Sequence, residues 1–425
     1  MIEELQFEIS RILRRIFLQT NYDATACYDC IIPNLAMVTS RKFGIHESTT
    51  ITNASTLHSA KYNIRTELGM SETHCSHQSE ARIYGTGQGS GNSPMIWCFL
   101  SSLLFDAYKE CPQPATYCHP DGSNASSLAM IGFVDNSNGQ VNCFQEPQDS
   151  STLHTLVKAA THNAVHWAGL LGATGRALEL SKCSHHILYW KFHVRGDPVL
   201  ANAAADVPSI SVTDPLTKQI YTLESIPPHS PHTTLGHFKE PAGTQDAQFT
   251  SLLAKSDYIT DFLWSTPLTR SEAWTYYTAC YIPAICYPLT ALHMSERQLT
   301  KIETKAMSII VPRCGFNQNT HKSILYGPQL MGGANFRHLA IEQGLLQVQY
   351  FLRHWQLQSQ GGRLFKNVSH GLVAVVSECF FSDPRAPKYI ASTYGIHVDR
   401  IHAVFSEPCA IDASSRRTMH SSSPT

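Results

Sequence analysis

Apolar side chains at Ile2, Leu5, Ile9, Ile12, Leu13 and Ile16 recur mostly every three or four positions, the period that places them on one face of an α-helix. Phe7 falls off that stripe. The other face carries Glu3, Glu4 and Glu8 early and Arg11, Arg14 and Arg15 late, the order that suits a helix dipole. An amphipathic helix packing on a core is predicted over residues 1–20. Leu57, Lys61, Tyr62, Ile64 and Leu68 predict a second helix between Asn53 and Gly69, and Ser93 to Tyr108 a third, apolar one with Pro94 in its first turn. Leu128 to Phe133, the polar run Asp135-Asn136-Ser137-Asn138-Gly139 and then Val141 to Phe144 read as a β-hairpin turning at the polar run. Thr152 to about Thr174 is helical in pattern with Gly175 near its end, and His185 to Phe192 reads as a strand. Residues 196–232, rich in Pro, Ser, Thr and Asp, predict strands and loops leading into a helical second half. There Ser295 and Gln298 form a capping box ahead of Leu299, Ile302, Ala306, Ile309 and Ile310, and another helix runs from about Phe336 to Trp355. Residues 406–425 are poor in apolar side chains and read as a disordered tail. Strands and helices followed by helices make an α+β class.

Length and charge narrow the picture. The 425 residues have room for two or three domains. With 32 Lys+Arg against 33 Asp+Glu the formal charge is −1, which removes a uniformly basic nucleic-acid binder from consideration. The balance is uneven: residues 251–370 hold 11 basic and 6 acidic side chains, so the helical second half is mildly basic, as a surface tracking a phosphate backbone should be. The 13 cysteines are scattered, and no apolar run precedes them, which predicts reduced thiols in an intracellular protein of nucleus or cytoplasm, not a secreted one. Cys27 and Cys30 lack the second pair of a zinc ribbon. Tyr276 to Met294, interrupted by Pro283 and Pro288, stays near the lower limit for a membrane span, and no transmembrane helix is predicted. His162 and His166 lie one helical turn apart, but Asn163, Ala164 and Val165 between them leave no zincin glutamate, so they read as surface or interface residues. His185 and His186 on a strand point to opposite faces.

Four strings occur in an informative order: Asp23-Ala24-Thr25-Ala26-Cys27-Tyr28, Gly87-Gln88-Gly89-Ser90-Gly91-Asn92-Ser93-Pro94, Phe133-Val134-Asp135-Asn136, and Gly175 to Lys182 followed by the turn Thr234-Leu235-Gly236. Singly each has an ordinary reading: Asp23 a cap or surface charge, Gln88 a loop residue, Tyr28 core, Lys182 an exposed lysine. Their joint order resembles reverse transcriptases, specifically the polymerase region of non-LTR retrotransposons, over roughly Asn21 to Phe238. It continues more loosely through Tyr326-Gly327-Pro328 and Gly332-Gly333. The Gln-Gly-x-x-x-Ser-Pro string is the most specific piece.

The resemblance implies a palm over residues 21–240, with an antiparallel sheet and packed helices, and an α-helical thumb-like region over 241–405. It implies RNA-directed DNA polymerisation by a two-metal mechanism, using Mg²⁺ or Mn²⁺, an RNA template, a DNA primer and deoxynucleoside triphosphates. Two carboxylates, Asp23 and Asp135, would supply hard oxygen ligands. By the same resemblance the Ala24 carbonyl touches metal, amides near Ala26 and Cys27 cradle phosphate, and Tyr28 closes off a 2′-hydroxyl. Gln88 and Gly89 meet the nucleotide, Lys182 protonates departing pyrophosphate, and Leu235-Gly236 grips the primer end. Two departures stand out. Asn136 replaces the second of two adjacent aspartates, weakening the metal site, and only 22 residues precede Asp23 where the family has a fingers region. The expectation is an impaired polymerase of a truncated retroelement product. The alternative is a catalytically inactive nucleic-acid-binding remnant or pseudogene product, with an unrelated Cys/His metalloprotein as a third reading.

Overall fold

The computed structural model describes residues 2–24, 28–76, 85–86, 90–110, 113–119, 124–134, 136–143, 149–192, 198–201, 209–214 and 218–382. The tail predicted over 406–425 lies outside them. The chain divides into two compact units, Met1–Gly371 and Leu372–Thr425. Among the described residues no helix is long and apolar enough to cross a membrane.

The first unit begins with helix α1 (Ile2–Leu13) and strand β1 (Phe17–Asp23), then helices α2 (Pro33–Lys42), α3 (Glu47–Ser59) and α4 (Ser93–Tyr108). Strands β2 (Met130–Phe133) and β3 (Asn136–Asn142) form a hairpin, followed by helix α5 (Ser150–Ala173) and strand β4 (Ser184–Leu188). A short strand β5 (Glu224–Ser225) and a hairpin of β6 (His232–Thr234) and β7 (His237–Lys239) precede the helical half. The central sheet has the order β5-β4-β1-β3-β2, antiparallel except for the β4–β5 pairing. The α+β expectation agrees with this architecture.

One face of the sheet is apolar. Leu18, Tyr22, Val141 and Ile187 pack with Ile96, Leu100 and Leu104 of α4 and Leu153, Val157, Ala160, Ala164 and Trp167 of α5. The close fit needs glycine at two strand positions: a Cβ on Gly132 would lie 2.2 Å from Phe105 Cζ, and one on Gly139 would lie 2.8 Å from the Tyr22 ring. Helix α5 starts at Asp149, whose Oδ1 accepts from Thr152 N at 2.9 Å, and ends before Gly175 at φ +87°.

Helices α6 (Asp246–Ser265), α7 (Arg270–Tyr276), α8 (Ile282–Leu289), α9 (Glu296–Arg313), α10 (Lys322–Leu325) and α11 (Leu339–Trp355) surround a second core of Leu252, Leu263, Tyr277, Ile285, Leu299, Ile302 and Phe336. A π-helical turn over Tyr277–Tyr281 joins α7 to α8. Pro283 follows that turn, where its missing N–H interrupts the helical hydrogen-bond ladder. The predicted Ser295–Gln298 capping box opens α9, and Thr269–Glu272 forms another at α7. Backbone meets backbone in the stretch of looser resemblance: a Cβ on Gly333 would lie 2.1 Å from Gly327 O. Helix α12 (Gln360–Ser382) follows.

Four expected elements come out differently. The predicted Asn53–Gly69 helix stops at Ser59; Lys61–Tyr62 pairs with Cys75–Ser76, Arg65–Thr66 pairs with Gly69–Met70, and Leu68 is fully exposed at the tip between them. With no core to receive Ile64 and Leu68, their helical spacing has nothing to select it. The hairpin forms as predicted, but its bend lies between Phe133 and Asn136, at the start of the polar run, and Asn136 to Gly139 are already strand β3, where Gly139 faces the Tyr22 ring. The strand predicted from His185 to Phe192 is broken at Tyr189 into Ser184–Leu188 and Trp190–Phe192. Finally, α1 buries Glu3, Gln6, Phe7, Ile9 and Ser10, leaving Ile12 exposed, so its inward face is rotated away from the predicted stripe and includes Phe7.

Candidate active site

That rotation follows from what α1 covers. In an antiparallel pair, directly opposed residues share a face. The register sets Gln19 beside His186 and Gln140, Asn21 beside Ser184 and Asn138, and Asp23 beside Asn136. The second face of the sheet is therefore a ladder of amides and polar groups climbing from Phe17 to Asp23. Buried amides are stable only when bonded, and those of Gln19, Asn21 and Asn138 are. Asn21 Nδ2 donates to Ser184 Oγ at 3.2 Å, Gln19 Nε2 donates to Asn21 Oδ1 at 2.9 Å and to the Glu3 carboxylate, and Asn138 Nδ2 donates to Glu3 Oε1 at 3.3 Å. Lys239 of β7 completes the cluster as an ion pair with Glu3, both nearly inaccessible. Burial alone would raise the Glu3 pKa, but the Lys239 charge and the hydrogen bonds from Lys239 and Gln19 hold it below the usual carboxylate range.

At the top of the ladder the face opens. Asp23 is half-buried, Asn136 is exposed, and the two are directly opposed across β1 and β3. Asp135 precedes Asn136 in sequence and lies outside the described residues, as do Ala26, Cys27, Gln88 and Gly89. Ala24 is buried and bridges Leu178, and the Asp23 carbonyl accepts from Glu179 N at 2.9 Å. Cys183 Sγ lies 3.9 Å from the same carbonyl; burial pushes its thiol up to about 11, so it stays protonated and can donate. The turn that starts at Glu179 closes with Lys182 N bonded to Glu179 O at 2.8 Å and presents Lys182 to solvent. The predicted lysine and the predicted aspartate thus share one short stretch of hydrogen-bonded backbone.

Tyr28 is half-buried against the first core, and its carbonyl accepts from Thr86 N at 2.8 Å. Thr86 O in turn accepts from Ser93 Oγ at 2.9 Å, and Gly85 N bonds Ile31 O at 2.8 Å. Gly85 has φ +105°, and a Cβ there would lie 2.7 Å from Asp29 Cα. The residues just before Gly87-Gln88-Gly89 are therefore stitched on one side to the Tyr28 segment and on the other to the start of α4.

Leu235 and Gly236 form the two-residue turn of the β6–β7 hairpin with φ +50° and +79°, a type I′ pattern in which leucine is strained. Tyr287 Oη donates to Leu235 O at 2.7 Å. The structure brings together Asp23, Ala24, Asn136 and the Lys182 turn, and ties Tyr28 to the glycine-rich segment. His162 is exposed and His166 stacks on Tyr108 at 5.8 Å. Among the described residues no group of three or more His, Cys, Asp or Glu is placed to hold a metal ion.

Sequence reading missed Glu3, Lys239 and the ladder. The signal was available as polar residues at period two, Gln19-x-Asn21-x-Asp23 and Asn136-x-Asn138-x-Gln140. Nothing local linked it to Glu3 or Lys239.

No family model matches the chain, and no curated protein matches it. Among solved structures it is similar to telomerase from Candida albicans in complex with a fragment of telomeric RNA, at 10% identity and TM-score 0.30 over 93% of this chain and 54% of that one. Telomerase from Candida tropicalis matches with the same RNA fragment at 11% identity and TM-score 0.30, over 86% of this chain and 51% of that one. Its apo form matches at 10% and 0.30, over 87% and 55%. The chain spans about half the length of these structures.

Proposed function

We propose that this chain carries the palm of a reverse transcriptase of retroelement type, an RNA-directed DNA polymerase weakened at one metal ligand. The observation that supports it most is the pairing of Asp23 with Asn136 at the open end of the sheet, with Asp135 immediately before Asn136 in sequence and the Lys182 turn bonded to the Asp23 carbonyl. Oxygen donors of this kind fit hard divalent ions such as Mg²⁺ or Mn²⁺. Bound there, such ions would activate a primer 3′-hydroxyl and neutralise triphosphate charge. Asp23 and Asp135 would be the anionic ligands, with Asn136 and the Ala24 carbonyl as neutral oxygen donors.

The other assignments follow the resemblance. Tyr28 offers a ring against the sugar and so selects deoxynucleotides. Gln88, Gly89 and the amides of Ala26 and Cys27 hold the nucleotide. The Lys182 ammonium, on a solvent-facing turn, gives its proton to pyrophosphate as the bond to the α-phosphate breaks. Leu235 and Gly236 receive the primer end, with an RNA template and a DNA primer as macromolecular partners and the helical second half as a thumb.

Primer extension on a primed RNA template with Mg²⁺ or Mn²⁺ tests the reading. Incorporation above an Asp23→Ala control is expected, and none above that control removes the polymerase assignment. Asn136→Asp, which restores the second charge, is expected to raise extension at least about tenfold, the factor that roughly 1.4 kcal/mol of transition-state stabilisation supplies. A second reading, a catalytically silent nucleic-acid-binding remnant, is favoured by Asn136 itself. It predicts template binding with no extension by either the natural chain or Asn136→Asp.

A further inference from the structure

One side chain reaches from the apolar side of the sheet to the turn between β2 and β3. Trp97 of α4 is buried, and its Nε1 donates to Val134 O at 2.7 Å. Val134 has φ +55°. A β-branched residue in the left-handed region crowds its own carbonyl, and such a conformation persists only where the surroundings hold it. The indole is itself held. Arg176 is 1% exposed, and its guanidinium carbon lies 4.1 Å from the centre of the Trp97 ring.

Arg176 is placed by backbone constraints. Its N–H bonds Leu171 O at 3.1 Å, and Gly175 before it leaves no room for a Cβ, which would lie 2.8 Å from Cys30 O. Just beyond it come Leu178, bridged to Ala24, and Glu179, bonded to the Asp23 carbonyl. The same neighbourhood therefore fixes both members of the opposed pair: Asp23 through Glu179, and the turn leading to Asn136 through Trp97. An aliphatic side chain would fill the space over the indole without the cost of burying a cation. A flat guanidinium adds orientation, because it fixes the tilt of the ring it covers.

We propose that Trp97 and Arg176 are positioning residues that hold the strained Val134 turn, and with it Asn136, in register with Asp23. The importance of that register for chemistry rests on the polymerase reading; the holding of the turn does not. Trp97→Phe keeps a ring beneath Arg176 and removes only the donor. In hydrogen exchange on the full chain, amides of residues 134–138 are expected to exchange about tenfold faster in Trp97→Phe, with α4 protection unchanged, since one buried hydrogen bond is worth about that factor. Adding Val134→Gly, which adopts a positive φ without strain, is expected to bring the rates back to within about twofold of the natural chain.

Unchanged exchange in Trp97→Phe overturns the proposal. So does faster exchange spread equally along α4 that Val134→Gly does not rescue, because that pattern marks core packing alone. Where Trp97→Phe does not fold, Arg176→Met serves in its place: faster exchange confined to 134–138 supports the proposal and unchanged exchange refutes it. In primer extension, Trp97→Phe is expected to lower kcat about tenfold with the nucleotide KM within about twofold, the split expected when reacting groups are misaligned. If the natural chain extends no primer, the polymerase reading falls while hydrogen exchange still decides the positioning role.

Discussion

Behind the central sheet, Leu18, Tyr22, Val141 and Ile187 meet the rings of Phe105, Tyr108 and Trp167; Phe105 stacks on Trp167 at 5.6 Å and Tyr108 meets it edge-on at 5.5 Å. In front, Gln19 and Asn138 donate to Glu3, Gln19 also links Asn21 and Gln140, and Glu3 pairs with Lys239. Both faces belong to the same strands, yet different physics stabilises them. The rear gains from area removed from water, roughly 25 cal/mol per Å², a quantity indifferent to which apolar side chain supplies it. The front gains little net from each hydrogen bond but loses several kcal/mol when one charged member is left alone. A face built from named partners can carry an acid-and-amide site at its open end. An apolar face cannot.

The contrast can be broken from either side. The largest effects are expected from Lys239→Met in front and Trp167→Ala behind, each costing about 3–5 kcal/mol in denaturant unfolding. Their remedies differ. Replacing Glu3 as well, in Glu3→Leu with Lys239→Met, should recover most of the frontal loss because the carboxylate that Lys239 paired is removed with it. No second substitution of that kind should refill the space left by Trp167. Equal recovery on both sides would dissolve the distinction.

Acid comes next. Burial lowers the pKa of His185 to about 4 and that of His186 to about 3, the latter with help from the His232 charge. The unfolded chain takes up these protons near pH 6.5, while the folded chain refuses them until far lower pH. Stability should therefore fall as pH drops below about 6.5 and keep falling through about 4, by roughly 3 kcal/mol for His185 alone. His186→Gln should flatten part of that slope in urea titrations across the same window. An unaltered slope would show that this histidine is not an acid-sensitive element of the front.

The smallest effect concerns the hairpin docked by Lys239. Leu235 at φ +50° is strained where asparagine is tolerated, so Leu235→Asn should stabilise by about 0.5–1 kcal/mol. Under the proposed function the same substitution should weaken primer use, so stability and extension would move in opposite directions.

Some of this was legible one element at a time. The capping box at Ser295, the Gly175 stop after α5 and Pro94 at the start of α4 are local devices whose partners lie within a few residues. Asp23, Asn136 and Lys182 were found as separate strings, and their adjacency came from the strand register and the Glu179 bond. Where local signals misled, a distant partner had overruled them. The polar run Asp135 to Gly139 has the composition of a turn, but from Asn136 on it is strand, and its glycine makes room for the Tyr22 ring. The apolar stripe of α1 predicts a helix but not its inward face, because the surface beneath it takes Glu3 and Gln6 and packs Phe7 on Phe17 and Leu188.

By itself, the sequence determined the class of the protein, most of its helices with their caps, and the order of the strings on which the functional proposal depends. These follow from periodicity and from bonds that close over three or four residues. Only the tertiary structure decided which face of α1 turns inward, where the hairpin bends, and that Glu3 and Lys239 are one buried ion pair although 236 positions separate them. It also decided that Trp97 and Arg176 bear on the turn beside Asn136. A buried polar group takes whatever partner the fold brings within hydrogen-bond reach, and distance along the chain carries no record of that.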